Sequence, residues 1–460
     1  MKSRSFLMFS AATLASGLGC QALYEKNDLT VATGGSGGST ASGGTTSTTT
    51  GGTTSMGGTT SSGGSTGGPT SSGGTTSSGG SSGGTTSMGG TTSSGGSTGG
   101  TTTTTTTTSS TVSCDDPLFV IGVSATTSKA ICAAHQNGAW AGSTYLQTAS
   151  SGAPTAAMVD GQNGVGVYYG GGVPGPLRAI QLTNGACSAP ADIPTISTRA
   201  APSSAVLAGT VHLVFLGAVG AGDYHPFTRL WTAAGGWAAG AQIGSFTGGA
   251  VSGVGRSGAE MLAVHGRTPD SAVGRTLFSN GAWGAEDCFQ TGCPAVKELT
   301  KNNIPPAVTG LPGGGWLVVF QDYDPGTPKL RWATFKNGVA SGSTVLQDAA
   351  LSTYPDSSTD PPSLWQTADG AVLAYRGKNN EVVTGFYSAA TDTWSPKQLV
   401  AGSTTTAAPS VAQGACSHIA YVDGVDGTVR HCTSTGAAWT CDATAISAEP
   451  MTGVALASPP

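Results

Sequence analysis

From residue 113 onward the sequence predicts an all-β fold of repeated four-stranded units, a β-propeller, and three observations carry that prediction. Apolar residues come in short runs such as VHLVF, GWLVVF and AVLAY, bounded by Gly, Pro and Asp, and no stretch sustains a helical period. Strand starts led by proline or a small residue recur near Pro154, Pro202, Gly248, Pro306, Pro362, Pro409 and Pro450. Their spacing of about 40–60 residues is that of a four-stranded propeller blade. Inside each unit the second strand is the most apolar (GVGVYY, VHLVF, EMLAV, WLVVF, AVLAY, HIAYV) and the third often opens on arginine (LRAIQ, TRLW, GRTLF, LRW, VRHC).

The chain before this region is of another kind. Residues 1–20, MKSRSFLMFSAATLASGLGC, join Lys2 and Arg4 to an apolar stretch from Phe6 to Leu18, too short to span a bilayer and shaped like a signal peptide. Gly17-Leu18-Gly19-Cys20 resembles a bacterial lipobox, with the leucine one position later than usual. That resemblance implies acylation of Cys20, and Gln21 in place of a retention aspartate favours the outer membrane of a Gram-negative envelope, with the domain surface-exposed or facing the periplasm. Ordinary secretory cleavage between Ala15 and Gly19 stays open as the alternative.

Residues 21–112 form a tether. From Gly34 to Thr111 nearly every residue is Gly, Ser or Thr, and the string GGTTSMGGTTSSGGSTGG occurs at both 51–68 and 83–100. Such a segment has too little apolar surface to offset the entropy of ordering it, so it is expected to be disordered. A flexible chain of that length spans about 50 Å, enough to hold a domain clear of a membrane. A silk-like stack, or a glycosylated stalk around Thr101 to Thr108, are the other readings.

Residues 113–460 are then expected to hold seven four-stranded blades, or six or eight if the long units at 247–305 or 306–360 divide differently. The last is split: 449–457 supplies a first strand, and 118–146 supplies the other three, so the two ends of the chain join in one blade and close the ring. Trp140, Trp237, Trp283, Trp394 and Trp439 recur at the start of the fourth strand, with Cys187 and Val339 replacing them in two units, a pattern that suits packing between blades. SAATDTW at 388–394 is distantly similar to the Asp-box turn of sialidases, without its glycine. Taken together the units resemble sialidase-like propellers and bacterial propeller lectins over residues 113–460.

Besides Cys20 there are eight cysteines, an even set suited to an oxidising compartment. Cys288 with Cys293, and Cys432 with Cys441, are the candidate disulfides. No CxxC pairs with another, so no metal site is expected, nor any cofactor.

In a propeller the loops joining second to third strands share one face with the blade-to-blade connections. The candidate ligand-binding residues there are Tyr168, His225, His265, Arg267, Asp322, Tyr323, Asp324, Arg376, Lys378, Asp423 and Asp426. Aromatic rings beside carboxylates and guanidiniums suit sugars, whose apolar faces stack while their hydroxyls take the polar groups. Solvated hairpin tips are the plainer reading of the same residues. DYDPG at 322–326 and DGVDG at 423–427 lack the ligand count of a calcium loop and read as turns.

Charged residues make up 9% of the chain and net charge is −5, which argues against a nucleic-acid partner. A glycosidase needs two opposed carboxylates, and a sialidase an arginine triad. The arginines Arg178, Arg229, Arg275, Arg331 and Arg430 recur once per unit, as structural residues would, and no Phe-Arg-Ile-Pro segment occurs. No catalytic residue is assigned. The expected function is a monomeric, lipid-anchored binding module for glycan or protein. A scaffold docking membrane proteins, or a sialidase-like hydrolase or lyase, are the alternatives.

Overall fold

The computed structural model describes residues 113–124, 126–141, 144–147, 153–170, 175–198, 200–220, 223–244, 248–267, 273–288, 304–321, 330–336, 339–340, 360–436 and 438–460. The signal segment with Cys20 and the tether lie outside them. The described part is all-β, without a helix.

Its strands form six antiparallel sheets in chain order. The first joins Leu118–Ser124, Lys129–Gln136 and two short strands to Gly453–Ala457, so the last strand of the chain pairs with the first, Phe119 opposite Ala457 and Val123 opposite Gly453. The second sheet has ten strands and holds two meanders, 155–187 and 203–242. The long strand Ala191–Thr198 links them, because Thr198 pairs with both Gly175 and Gly217. The third, fourth, fifth and sixth sheets cover 248–288, 307–340, 363–399 and 410–441.

One local design recurs. Asn137-Gly138, Asn184-Gly185 and Asn280-Gly281 all have φ between 50° and 81°, the left-handed pairs that a two-residue hairpin needs and that Asn and Gly adopt at least cost. Each of these turns leads the chain from a third strand into a two-residue strand, Ala139–Trp140, Ala186–Cys187 or Ala282–Trp283. The next residue donates its N–H back to the third strand: Ala141 to Ala134, Ser188 to Gln181, Gly284 to Leu277, and likewise Ala238 to Leu230 and Ser395 to Phe386. The fourth strand then resumes nearer the start of the third, as where Asp192 pairs opposite Arg178 and Asp287 opposite Arg275.

Both faces of the second strands are covered, so they are apolar throughout rather than alternating. Between sheets the large side chains Phe119, Tyr168, Trp231, Phe320 and Tyr387 are fully buried. The repeated tryptophans pack in these layers: Trp394 against Trp332 and Tyr387, Trp283 against Phe278, and Trp140 edge-on to His431.

Strand starts from all six sheets converge on an axial cavity. Pro154, Pro202, Pro306, Pro362 and Pro409 each stand one residue ahead of a strand and line a narrow end of about 190 Å³. Proline fits there because the first residue of a strand owes no hydrogen bond to the ladder. The residue after proline is often a hydroxyl that satisfies the next sheet's open edge: Ser363 Oγ accepts the N–H of Val411 at 3.1 Å, and Ser410 Oγ that of Leu456 at 2.9 Å. The far ends of the same strands line a wider space of about 450 Å³.

Three disulfides tie the described part together. Cys132–Cys187 joins the first sheet to the second, Cys432–Cys441 bridges neighbouring strands of the sixth, and Cys114–Cys416 fastens the segment ahead of the first sheet to the sixth, 302 residues away. Cys293 and the side chain of Cys288 lie outside the described residues.

Candidate functional site

Register fixes which loops share a face. First and second strands are antiparallel, Thr155 opposite Val167 and Ser363 opposite Ala374, so the proline-led strand starts lie beside the ends of the second strands. The hairpins from second to third strand therefore surround the narrow end of the axial cavity.

Two of these hairpins, in the fifth and sixth sheets, are described in full and form one surface. Arg376 ends the strand Gly370–Arg376, half-buried, with Nε 2.8 Å from Asp360 Oδ2 and NH1 donating to the carbonyl of Thr406 at 2.8 Å. Lys378, Asn379 and Asn380 follow as an exposed tip. The facing hairpin, Asp423 to Thr428, folds on itself. Asp423 Oδ1 accepts the N–H of Val425, and Asp426 Oδ1 accepts the N–H and hydroxyl of Thr428. Arg430 closes it, Nε 3.2 Å from Asp423 and NH2 2.9 Å from Asp426. The DGVDG segment is thus a turn held by its own side chains and an arginine.

Between the two tips runs the segment 403–407, which hydrogen-bonds to both. Thr405 N donates to Asn380 O at 2.6 Å, while Thr404 O accepts the N–H of Gly424 at 2.9 Å. Thr405 is buried, with its hydroxyl on Ala407 O, whereas Thr404 and Thr406 are exposed. Arg376, Lys378, Asp423 and Asp426 are thereby brought to one shelf floored by threonines. Asp360, Arg430 and the threonine segment complete it, and sequence reasoning did not assign them to the site. Arg430 carried a signal in its place on the third strand, but the threonines carried none.

The electrostatics follow from these contacts. The Thr428 hydroxyl and N–H, helped by Arg430, hold the Asp426 carboxyl below its ordinary range. Burial, with Asp423 and Asp426 nearby, pushes the Tyr421 phenol up against the opposing pull of Arg430. The shelf offers charged forks, carboxylates and hydroxyls at fixed positions, while Asp360, Asp423 and Asp426 are each engaged by arginine. Such an arrangement can hold a polyol.

The other candidates sit elsewhere. Tyr168 is fully buried between the first and second sheets with Phe119, Ile121, Met158 and Ile180. His225 is half-buried opposite Gly217. His265 is 1% exposed, and its Nε2 lies 2.5 Å from Oε1 of the buried Glu286 side chain, an internal contact and not a surface group. Arg267 ends its strand with its backbone opposite Gly248, and its side chain lies outside the described residues. Asp322, Tyr323 and Asp324 lie outside them too. Among the described residues no cluster of three or more His, Cys, Asp or Glu could hold a metal ion.

No protein-family profile matches the chain, and no curated protein matches it by sequence. Solved structures do resemble it. A lectin from Burkholderia pseudomallei superposes with a TM-score of 0.51 at 14% identity, over 66% of this chain and 88% of that one. The protein AofleA of Arthrobotrys oligospora gives 0.44 at 11% identity, over 67% and 89%. An Aleuria aurantia lectin variant in complex with Fucα1-6GlcNAc gives 0.41 at 12%, over 65% and 96%. The likeness to the Burkholderia lectin shows the fold, an all-β arrangement of the lectin propeller type.

Proposed function

We propose that this chain is a non-catalytic, carbohydrate-binding module that takes glycans on the hairpin face around the axis. The observation that carries the reading is the shelf between the fifth and sixth sheets, where Arg376, Asp423, Asp426 and Arg430 are fixed around the exposed Thr404 and Thr406. Preset polar groups of this kind recognise hydroxyls without the entropy cost of ordering them on binding. The shared fold with a bacterial lectin supports the same reading. In this reading the ten-stranded sheet counts as two of seven blades, and the pairing of Gly453–Ala457 with Leu118–Ser124 supports closure of the ring through the last blade.

The test is a glycan array probed with the full chain, with calcium and with chelator. Selective binding that Arg376→Ala and Thr404→Ala each weaken is the expected result. A blank array from folded protein overturns it.

The module is held at an outer membrane by acylated Cys20, and the Gly/Ser/Thr segment spaces it from the lipid. Incorporation of labelled palmitate in cells, lost in Cys20→Ser, tests the anchor. The protein is a monomer in this reading, which light scattering of the detergent-solubilised chain would show.

A further inference from the structure

Four arginines hold carboxylates: Arg178 lies 2.8 Å from Asp192, Arg275 2.9 Å from Asp287 and Arg376 2.8 Å from Asp360, while Arg430 holds Asp423 and Asp426. Arg256 differs from these four. It stands at the end of the long strand Gly248–Ser257, half-buried, and its partners are two carbonyl oxygens: Gly258 O from Nε at 3.0 Å, and Val206 O from NH1 at 3.4 Å. No carboxylate pairs with it among the described residues. NH2 is uncommitted.

Arg256 and Val206, whose carbonyl accepts from its NH1, both line the wide end of the axial cavity, away from the hairpin shelf. Among the side chains of that wall Arg256 is the only ionisable one. The rest of the surface is of two kinds. Val206, Val254, Val308, Leu364 and Trp365 are apolar, and Gln366 and Thr367 are polar, with Thr367 Oγ1 buried and lacking a hydrogen-bond partner. A partly desolvated cation with no carboxylate partner among the described residues is costly, and an anion entering the cavity relieves that cost. About 450 Å³ is far more than an inorganic ion needs and falls in the range of pockets that hold small organic molecules. Apolar walls suit the face of a pyranose ring, amide and hydroxyl groups suit its hydroxyls, and the planar fork of arginine matches a planar carboxylate.

We propose that the wide end of the axial cavity is a second binding site, specific for a carboxylate-bearing sugar ring of the hexuronate class, with Arg256 taking the carboxylate. The site does not rest on the hairpin shelf and would stand if glycan binding there failed. Pro459 and Pro460 also line it.

The experiment is calorimetric titration of the full chain with D-glucuronate, its methyl ester, D-glucose and inorganic sulfate. Glucuronate is expected to bind, and Arg256→Gln to weaken it by about 10- to 100-fold, the effect of losing a charge-assisted hydrogen bond. The methyl ester, which keeps the ring and removes the charge, is expected to bind no better than glucose. That arm decides the matter even if Arg256→Gln does not fold. Glucose or the ester binding as tightly as glucuronate overturns the proposal, as does wild-type affinity in a folded Arg256→Gln. Sulfate binding as tightly as glucuronate overturns the assignment to a sugar acid. Glycans bound on the shelf are expected to bind Arg256→Gln unchanged, which separates the two sites.

Discussion

Acidification should loosen the contact between the second and third sheets through one buried imidazole. His212 lies in the strand Thr210–Gly220 and is 5% exposed, its ring edge-on to Phe278 at 5.2 Å between centroids. Its Nδ1 is buried without a hydrogen-bond partner. Burial therefore disfavours the imidazolium and lowers its pKa from 6.5 to about 4. The unfolded chain takes up this proton near pH 6.5 and the folded one near pH 4, so stability from the neutral ring is complete above 6.5 and is lost as pH falls toward 4. A shift from 6.5 to about 4, at 1.36 kcal/mol per pH unit, amounts to about 3 kcal/mol. Other groups titrate in the same range, so the measurement is a difference. Urea unfolding of wild type and His212→Leu at pH 7 and pH 4 should show wild type losing about 3 kcal/mol more than the variant. At pH 7 the variant should be as stable as wild type or more so, because it removes an unpaired buried nitrogen. Equal acid losses in the two proteins would refute the reasoning.

Other contacts give shorter predictions. Asp116 accepts the N–H groups of Ala415 at 2.8 Å and Cys416 at 3.1 Å and meets His418 Nε2 at 2.8 Å. Burial raises its pKa, but these bonds outweigh that effect and hold it below its ordinary range. Asp116→Ala should cost about 3 kcal/mol in urea unfolding at pH 7. The difference should shrink as pH falls through the depressed carboxyl pKa and wild type loses the same charge. Ser410→Ala, which leaves the Leu456 N–H on an open strand edge, should cost about 1 kcal/mol in the same assay. Replacing Cys132 and Cys187 by serine opens a loop with 55 residues of separation and should cost about 4 kcal/mol by loop entropy, checked against reduced wild type.

What the sequence could show follows from distance along the chain. Proline ahead of a strand, Asn-Gly at a hairpin and tryptophan just after it are local devices, each acting within a few residues of its cause, and all are readable. Tyr168 shows where such reading stops. Its strand is buried on both faces, so alternation cannot separate a core tyrosine from one at the strand's open end. His265 looked like a loop residue, but burial with Glu286 depends on packing against residues 21 positions later. The threonines at 404–406 matter because hairpins on either side hydrogen-bond to them, and composition alone marks them as linker. Merging of two meanders into ten strands turns on a single residue, Thr198, pairing on both sides.

A long-range network joins the segment ahead of the first sheet to the sixth sheet, and its hydrogen bonds fix the tautomer of one imidazole. Asp116 Oδ2 lies 2.8 Å from His418 Nε2, His418 Nδ1 lies 3.1 Å from His431 Nε2, and His431 Nδ1 lies 2.8 Å from Asp442 Oδ2. Trp140 Nε1, from the first sheet, donates to the same Asp442 oxygen at 3.2 Å. An ionised Asp116 requires the His418 proton on Nε2. Burial lowers the pKa of His418 against the opposing pull of Asp116, which favours the neutral ring and leaves its Nδ1 an acceptor. The proton between the rings then comes from His431 Nε2, and the Nδ1 of that ring meets Asp442. Nitrogen-15 spectra of the imidazoles should show His418 protonated on Nε2 and unprotonated on Nδ1. A protonated His418 Nδ1, with the fold intact, would refute this assignment. The network thus sits where Leu118–Ser124 and the sixth sheet flank the final strand, at the junction that local sequence patterns least determine.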